Sequence, residues 1–357
     1  MEALENLSYN SQIRQLRILA EAALTHYDIG KARLALLSHR EDTLFKVTTS
    51  SRQGFSSVET ADEVEGTRFV LRLYRQPGPS TESILSELEW LAALRRDAAL
   101  VVPEPVAARN GSYITVIEVD GIPEVRHCVL TRWVEGRFVD TKLTPTLMER
   151  VGLFLARLHQ HAEHFTPSAY FARPRWEWED LSDNGTWNEL LDRRFVAKQY
   201  REIIPKQAHS LFAATVEKIS ERVEHLPQDS HHYGLIHGDF WQTNYLFHRG
   251  EVRAIDFEDC SWNYYLFDLA TALRGIENRP GELAMRAALI SGYEQMRPLP
   301  AHYETQLQAF AAASILERVN YLLHSRDTHI RSEISTYIEY AVNRLREFIS
   351  SRIKNGV

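Results

Sequence analysis

The prevailing period of the apolar residues in the 357-residue chain changes near Gly136, and this change limits the folds that the chain can adopt. Before it, alternating runs such as "RFVLRLYR" (68–75) and "HCVLTRWV" (127–134) predict strands. After it, apolar residues recur every three or four positions, as in "TPTLMERVGLFLARLHQH" (144–161), which predicts helices. The sequence therefore predicts an α+β protein with two lobes, a small antiparallel β lobe and a larger, mainly helical one.

The chain is too long for one ordinary domain core, which also favours two lobes. We expect an N-terminal lobe over residues 1–131, a hinge over 132–136 and a C-terminal helical lobe over 137–357. The order of the predicted elements supports this division.

Within the first lobe, residues 11–27 and 80–96 have helical spacing. In the second of these helices, the leucines at 85, 88, 91 and 94, or Ala92, are expected to face inward. "LALLSHREDTLFKVTT" (34–49) predicts two strands around a polar turn at 38–42. The polar, Ser/Glu-rich stretch 49–66 is predicted to be a long exposed connection.

Composition excludes several classes of protein. The net charge is −7 and no dense Lys/Arg run occurs, so we expect no nucleic-acid partner. The two cysteines, Cys128 and Cys260, form no CxxC pair, which argues against a disulfide framework or a zinc site and favours a reducing compartment. The N-terminus is acidic and no apolar run approaches the roughly 18 residues of a membrane span. We expect a cytoplasmic protein with no membrane partner, and the sequence leaves its oligomeric state open.

"LIHGDFWQTNYLFHRGEVRAIDFED" (235–259) collects five acidic residues and an asparagine among apolar residues, although like charges held together cost free energy. Strands at 243–248 and 252–257 are predicted to form a hairpin. Asp239 and Asn244 then flank a tight loop, and Asp256 ends the return strand. Hard cations such as Mg²⁺ prefer oxygen ligands and keep several waters. A Mg²⁺ ion that bridges nucleotide phosphates would relieve the repulsion, and a remaining carboxylate would accept a proton from an attacking hydroxyl group, as phosphoryl transfer requires.

The segments His237-Gly238-Asp239 to Asn244 and Ile255-Asp256-Phe257-Glu258 resemble the H-G-D-x-x-x-x-N and I-D-F/W-E/D hallmarks of the aminoglycoside phosphotransferase and choline kinase-like family. That family has the protein-kinase-like fold. The resemblance runs from the first strand to "FDLA" at 267–270. It implies a Mg²⁺-dependent kinase that moves the γ-phosphoryl group of ATP or GTP to a hydroxyl group of a small molecule.

The resemblance also implies roles for individual residues. Asp239 matches the catalytic aspartate, and His237 matches a residue that supports the catalytic loop. Asn244 and Asp256 match the two magnesium ligands, and Asp268 matches a structural acidic position. The implied nucleotide-binding positions lie in the nucleotide-covering loop, on the third strand and its partner helix, and at the adenine-binding hinge: Ser38, Asp42, Arg72, Glu87, Arg132 and Val134.

Two departures from protein kinases favour the small-molecule branch. Residues 38–45 contain no G-x-G-x-x-G, and HGD and IDFE replace HRD and DFG. Arg72 occupies the usual lysine position, and its planar guanidinium group is not equivalent to an ammonium group. A protein Ser/Thr kinase of the same variant fold and a non-catalytic nucleotide-binding module are the alternatives. Candidate acceptors are aminoglycosides, macrolides, choline-like alcohols, homoserine and sugars.

Aromatic and acidic residues of 173–195, and those around Asp239 and after Asp256, are candidates for an acceptor-binding wall. The candidates are Trp176, Trp241, Glu258, Trp262 and Tyr265. The alternative is that residues 173–195 only pack aromatic side chains on the helical lobe. The histidines at 159, 161 and 164 have no metal-ligand spacing, and we expect them to be solvated or to lie at the C-terminal end of a helix. Cys260 is expected to fill buried space.

Overall fold

The computed structural model describes residues 4–50, 66–176, 204–325 and 332–351. The chain divides into two compact units. Unit 1 contains the residues up to Arg96, together with 101–135 and 167–172, and unit 2 contains 97–100, 136–166 and the residues from Arg173 onward. Most of the predicted connection at 49–66 and of the predicted acceptor wall at 173–195 lies outside the described residues.

Unit 1 is built on one antiparallel sheet. Its strands are β1 (Ala32–His39), β2 (Thr43–Thr49), β3 (Arg68–Leu73), β4 (Pro105–Val106), β5 (Thr115–Ile117) and β6 (Arg126–Arg132). They are arranged in the order β1-β2-β3-β6-β4, and β5 also pairs with β6. In β3 the odd-numbered residues Phe69, Leu71 and Leu73 are buried, as the alternation of its apolar residues predicts.

Two helices accompany this sheet. Helix α1 (Tyr9–Leu24) packs its buried apolar face, which includes Leu16 and Leu19, into one core with the sheet. Ser80 precedes helix α2 (Thr81–Ala98) and caps it, because its Oγ accepts a hydrogen bond from Ser83 N at 3.1 Å.

One local prediction for unit 1, the extent of the first turn, is wrong, and a second, the inward face of α2, is wrong in part. The turn between β1 and β2 covers only residues 40–42, because Ser38 still pairs with Leu44 inside the sheet. On α2, Leu85 is 43% exposed, and Ala92 is exposed as well. Leu88, Leu91 and Leu94 are buried, as predicted, and the buried face also includes Ile84 and the carboxylate-bearing Glu87.

Unit 2 is mainly helical, and its six described helices are α3 (Pro145–His164), α4 (Lys206–Val223), α5 (Tyr265–Arg274), α6 (Glu282–Glu294), α7 (Tyr303–His324) and α8 (Ile334–Ser350). Glycines allow α3 and α6 to approach closely. A Cβ on Gly152 would lie 1.9 Å from Leu289 O, and one on Gly292 would lie 1.9 Å from Glu149 O. With the sheet of unit 1, this architecture confirms the predicted α+β fold class.

Two short antiparallel pairs of strands interrupt the helices of unit 2. Strands β8 (Tyr245–His248) and β9 (Glu251–Ala254) form the predicted hairpin, but β9 ends before residues 255–257. Strands β7 (Tyr233–Ile236) and β10 (Ser261–Tyr264) form a second pair that the sequence analysis did not predict. The loops that follow β7 and β9 carry the acidic motif. Across the described helices, none has the length and apolar character needed to cross a membrane.

Candidate active site

The loop between β7 and β8 holds Asp239 against Asn244. Asn244 Nδ2 donates hydrogen bonds to both Asp239 O and Asp239 Oδ2 at 2.8 Å, and Asn244 N donates to Trp241 O at 2.8 Å. Gly238 adopts φ +86°, and a Cβ there would lie 2.3 Å from Asp259 O. The loop, which we call the catalytic loop (237–244), therefore needs glycine at 238 to reach this shape.

A buried carboxylate anchors the start of the catalytic loop. Asp268, on α5, accepts hydrogen bonds from His237 N at 2.8 Å, Gly238 N at 2.9 Å and His159 Nε2 at 3.1 Å. Asp268 and His159 are both completely buried. We call Asp268, His159 and the two backbone N–H groups the loop anchor.

His159 lies near the C-terminal end of α3, one of the two predicted settings, but it is completely buried and not solvated. Its Nδ1 accepts a hydrogen bond from the Tyr293 hydroxyl group at 3.0 Å, and its Nε2–H donates to Asp268. Burial lowers the pKa of His159, and this effect outweighs the hydrogen bond and the charge of Asp268, which act in the opposite direction. The imidazole ring is therefore neutral, with one nitrogen donating and the other accepting.

His237 connects the catalytic loop to the loop that carries Asp256. Its side chain is buried, its Nε2–H donates to Ile255 O at 3.0 Å, and its Nδ1 accepts from Asp239 N at 3.4 Å. Ile255 N donates in turn to Asn244 O at 2.9 Å. Asp256 follows directly, with φ +65°, a left-handed conformation that is unusual for a residue other than glycine. Asp239, Asn244 and Asp256 are thereby brought into one region of unit 2.

The oxygen atoms of Asn244 and Asp256 fit a hard divalent cation. The amide nitrogen of Asn244 is bonded to Asp239, while its Oδ1 accepts only a long hydrogen bond of 3.4 Å from Thr243 Oγ1. Oδ1 is thus left as a ligand atom beside a carboxylate. No group of three or more His, Cys, Asp or Glu residues suited to a metal ion occurs among the described residues. Mg²⁺ typically binds only one or two protein side chains when substrate phosphates and waters complete its coordination.

Further carboxylates surround Asp239, and the sequence analysis did not assign them to the site. Asp259 keeps an exposed surface, yet desolvation by the surrounding protein, followed by repulsion from Asp239 and Asp256, raises its pKa to about 6. Desolvation raises the pKa of Glu317, on α7, to about 8, and the charges of Asp259 and Asp239 add to this rise. The Trp176 indole Nε1–H donates to Glu317 Oε1 at 3.1 Å and acts in the opposite direction. We call Asp259, Glu317 and Trp176 the acidic face.

One arginine lies beside the free side of the Asp239 carboxylate. Arg274, at the end of α5, places a terminal nitrogen 3.9 Å from Asp239 Oδ1 and its guanidinium group 5.6 Å from the centre of the Trp241 ring. It is held there by a hydrogen bond of 3.0 Å to Ser314 O. No sequence motif marks Arg274, because it lies 35 residues beyond Asp239 on a separate helix.

The predicted acceptor residues divide into two groups. Trp176, Trp241 and Trp262 are half-buried, and Trp176 N donates to Trp262 O at 2.8 Å, while Glu258 is exposed. Tyr265 is buried, its hydroxyl group donates to Ser230 O, and its ring stacks on His159 with centroids 4.6 Å apart. The position of Tyr265 in the core does not support its predicted contact with an acceptor.

The predicted nucleotide-binding residues lie in unit 1. Arg72 is on β3 with Nε 4.0 Å from Asp42 Oδ2, and Asp42 Oδ1 also accepts a hydrogen bond from Arg75 N at 2.8 Å. Glu87 is buried on α2.

The hinge positions and Ser38 are also in unit 1. Arg132 ends β6 and places Nε 3.3 Å from Glu104 Oε1, and Val134 is buried. Ser38 belongs to β1 and not to the loop assigned to it. The nucleotide roles of all these residues stay predictions.

Comparisons with known proteins identify the family to which the chain belongs. The model of the phosphotransferase enzyme family matches residues 49–299. Amicoumacin kinase of Bacillus subtilis (strain 168) is 23% identical over 266 residues, which cover 73% of this chain and 68% of that protein. Homoserine kinase of Neisseria meningitidis serogroup B is 27% identical over 226 residues, or 60% of this chain and 64% of that protein.

Solved structures of kinases have a similar fold. A microcompartment-associated aminopropanol kinase superposes with a TM-score of 0.74 at 27% identity and covers 94% of this chain and 98% of its own. An amicoumacin kinase in complex with AMP-PNP, Ca²⁺ and Ami superposes with a TM-score of 0.70 at 15% identity, over 92% of this chain and 93% of its own.

The chain belongs to the phosphotransferase enzyme family, since the family model matches well over half of it. It has the protein-kinase-like fold and is a small-molecule kinase. The resemblance that the HGD and IDFE segments indicated is thereby confirmed.

Proposed function

We propose that this kinase moves the γ-phosphoryl group of ATP to the hydroxyl group of a small alcohol that also carries an amino group. One observation carries the proposal. Asp239 has one carboxylate oxygen atom bonded to Asn244 and the other open, and further carboxylates with raised pKa values lie near it. An ammonium group would bind this acidic face, and a hydroxyl group would bind Asp239.

Asp239 is proposed to position and deprotonate the acceptor hydroxyl group. Its Oδ2 is fixed by Asn244, while Oδ1 has Arg274 at 3.9 Å, beyond hydrogen-bond distance. Oδ1 is therefore free to accept the hydroxyl proton as the oxygen atom of the acceptor attacks phosphorus. Positioning and charge stabilisation supply most of the catalysis of phosphoryl transfer.

Asn244 Oδ1 and the Asp256 carboxylate are proposed to hold Mg²⁺, which when bound would neutralise charge on the phosphate oxygens. The role of these residues is to fix ligand atoms in advance. Asn244 is fixed by its two bonds to Asp239, and Asp256 by the bonds that His237 and Asn244 make to Ile255. A complex of a similar amicoumacin kinase with AMP-PNP and Ca²⁺ supports a nucleotide with a divalent cation as the co-substrate.

The acidic face is proposed to select an amine. Desolvation is the main reason that the pKa values of Asp259 and Glu317 are raised, and nearby negative charges, including that of Asp239, add to it, so a cation placed among these groups would favour their ionised forms. The half-buried ring of Trp176 supplies an apolar surface for the carbon chain. The names of two similar proteins, a homoserine kinase and an aminopropanol kinase, support the same class of acceptor.

A small acceptor is favoured over a protein substrate by the short connection after Asp256. Only residues 257–260 separate Asp256 from β10, and Cys260 N donates to Phe257 O at 3.0 Å to form a tight turn. A long loop that docks an extended peptide has no room in this part of unit 2.

The proposal is tested by ADP release with matched pairs of acceptors: homoserine against 4-hydroxybutyrate, 1-amino-2-propanol against 2-propanol, and ethanolamine against ethanol. We expect the amine of at least one pair to react about tenfold faster or more, since a hydrogen-bonded charge contributes about 1.5–3 kcal/mol. The preference should shrink in Glu317→Gln. Equal rates within every pair would refute the amine, and phosphorylation of a protein with no reaction across the small-molecule panel would refute the acceptor class.

A further inference from the structure

The loop between β9 and β10 contains the metal-ligand candidate Asp256 and two further acidic residues, Glu258 and Asp259. Because like charges held together cost free energy, contacts from outside the loop are needed to fix its shape. Apart from the turn at Phe257–Cys260, its carbonyl groups at Glu258 and Cys260 point to one side chain. Arg173 Nε donates to Cys260 O at 2.6 Å, and its guanidinium group also donates to Glu258 O. Arg173 is 9% exposed, so this fork of hydrogen bonds is inside unit 2.

The segment that carries Arg173 is itself fixed to the next strand. Trp262 N donates to Pro174 O at 2.8 Å, and Trp176 N donates to Trp262 O at 2.8 Å, so residues 174–176 extend alongside the start of β10. The Arg175 guanidinium group lies over the Trp262 ring at 4.9 Å. Arg173 thus bonds to the loop from a segment that is held against β10, the strand that pairs with β7.

The charge of Arg173 also acts on the site. Its positive charge lowers the pKa of Asp259, against the larger effects of desolvation and of Asp239 and Asp256. An arginine is suited to both tasks, because its planar group donates several hydrogen bonds in fixed directions and remains protonated. Lysine would keep the charge but could not hold two carbonyl groups with the same geometry.

We infer that Arg173 is a positioning residue that fixes the Asp256 loop for binding of the divalent cation, an inference that rests on the proposed role of Asp256. It acts through the backbone carbonyl groups of Glu258 and Cys260 and does not touch the cation. Residues that orient metal ligands typically change metal affinity by about 10- to 100-fold when replaced. We therefore expect Arg173→Lys to raise the Mg²⁺ concentration needed for nucleotide binding by about tenfold.

The experiment titrates Mg²⁺ at a fixed concentration of AMP-PNP and follows the rise in Tm, a readout that needs no turnover. The variants are Arg173→Lys and Arg173→Met, with Arg346→Lys, at an exposed position on α8, as the matched control. The expected result is a shifted Mg²⁺ midpoint for both Arg173 variants, an unshifted one for Arg346→Lys, and little change in Tm without ligand for Arg173→Lys.

The outcomes separate this inference from the proposed function. A wild-type protein without any Mg²⁺-dependent stabilisation by AMP-PNP would contradict the proposed function itself. A wild-type response with an unchanged midpoint in folded Arg173→Lys would overturn only the role of Arg173. If neither variant folds, Arg173 is a residue of the core alone and the inference is also overturned.

Discussion

Asp268 and Asp239 are carboxylates of the same unit with opposite surroundings. Asp268 is completely buried and accepts three hydrogen bonds, from two backbone N–H groups and a neutral histidine. Asp239 is 35% exposed and accepts one side-chain hydrogen bond, from Asn244, with Arg274 at 3.9 Å. A carboxylate whose acceptor sites are filled by the protein holds structure together, whereas one with an open oxygen atom is available to a substrate. The two predictions with the largest effects test this difference.

Asp239→Asn should abolish most of the activity and leave the fold intact. We expect turnover to fall by a factor on the order of 10² to 10⁴, the range for a positioned acid–base group. The Tm should move by no more than about 2 °C, because the side chain is part-exposed and keeps its shape. ADP release and a thermal melt on the same preparation measure both quantities. Near-normal turnover would show that Asp239 is not the catalytic residue.

Asp268→Asn should mainly lower stability, whereas Asp239→Asn mainly lowers turnover. The amide would direct N–H groups at backbone donors and lose the charge that His159 and the backbone N–H groups bind. Leaving the buried donors of such a network without their charged acceptor costs about 1–3 kcal/mol or more. Urea unfolding measures this loss, and Asp140→Asn is the control, because exposed Asp140 pairs with Arg279 at the surface and should cost less than about 1 kcal/mol. Equal losses for the two variants would remove the distinction between the carboxylates.

The sequence could predict those features that depend on residues close together in the chain. The motif from His237 to Asn244 is local, so its spacing alone places Asp239 beside Asn244 in one loop. The alternation in β3 and the apolar spacing of α3 depend on neighbouring residues and are found in the structure. Asp268 could be assigned a structural role because it lies in the "FDLA" segment that the resemblance covers.

The acidic face could not be predicted, because its members come from distant parts of the chain. Glu317 is 78 residues beyond Asp239, and no local pattern distinguishes it from the other polar residues of its helix, such as Glu304. His159 was misjudged for a similar reason: its buried partner Asp268 is 109 residues away. Tyr265 was assigned to the acceptor by its position near Asp256, but it belongs to α5 and is turned toward His159.

His159 makes the loop anchor sensitive to acid. Its pKa is lowered in the folded protein, so the unfolded chain binds a proton near the ordinary value of 6.5 while the folded protein does not. This contribution to stability is present above that pH and is lost as the pH falls. Between pH 7.5 and 5.5, we expect the unfolding free energy of the wild type to fall more steeply than that of His159→Gln. His225→Gln, at an exposed position, should keep the wild-type slope, and a His159→Gln slope equal to the wild-type slope would contradict the buried neutral state.

Glu317 makes stability depend on pH in the opposite direction from His159, and we expect this effect to be the smallest of those predicted. Its pKa is raised to about 8 by desolvation and then by its acidic neighbours, so the folded protein retains a proton that the unfolded chain releases near 4.5. Stability from this group is complete below about pH 4.5 and is lost as the pH rises toward 8. Glu317→Gln, which cannot ionise, should therefore be more stable than the wild type at pH 8 and similar to it near pH 5, as measured by urea unfolding at both values. Glu304→Gln, at an exposed position on the same helix, should follow the wild type, and a Glu317→Gln protein that is less stable at pH 8 would show that its carboxylate is favourably paired.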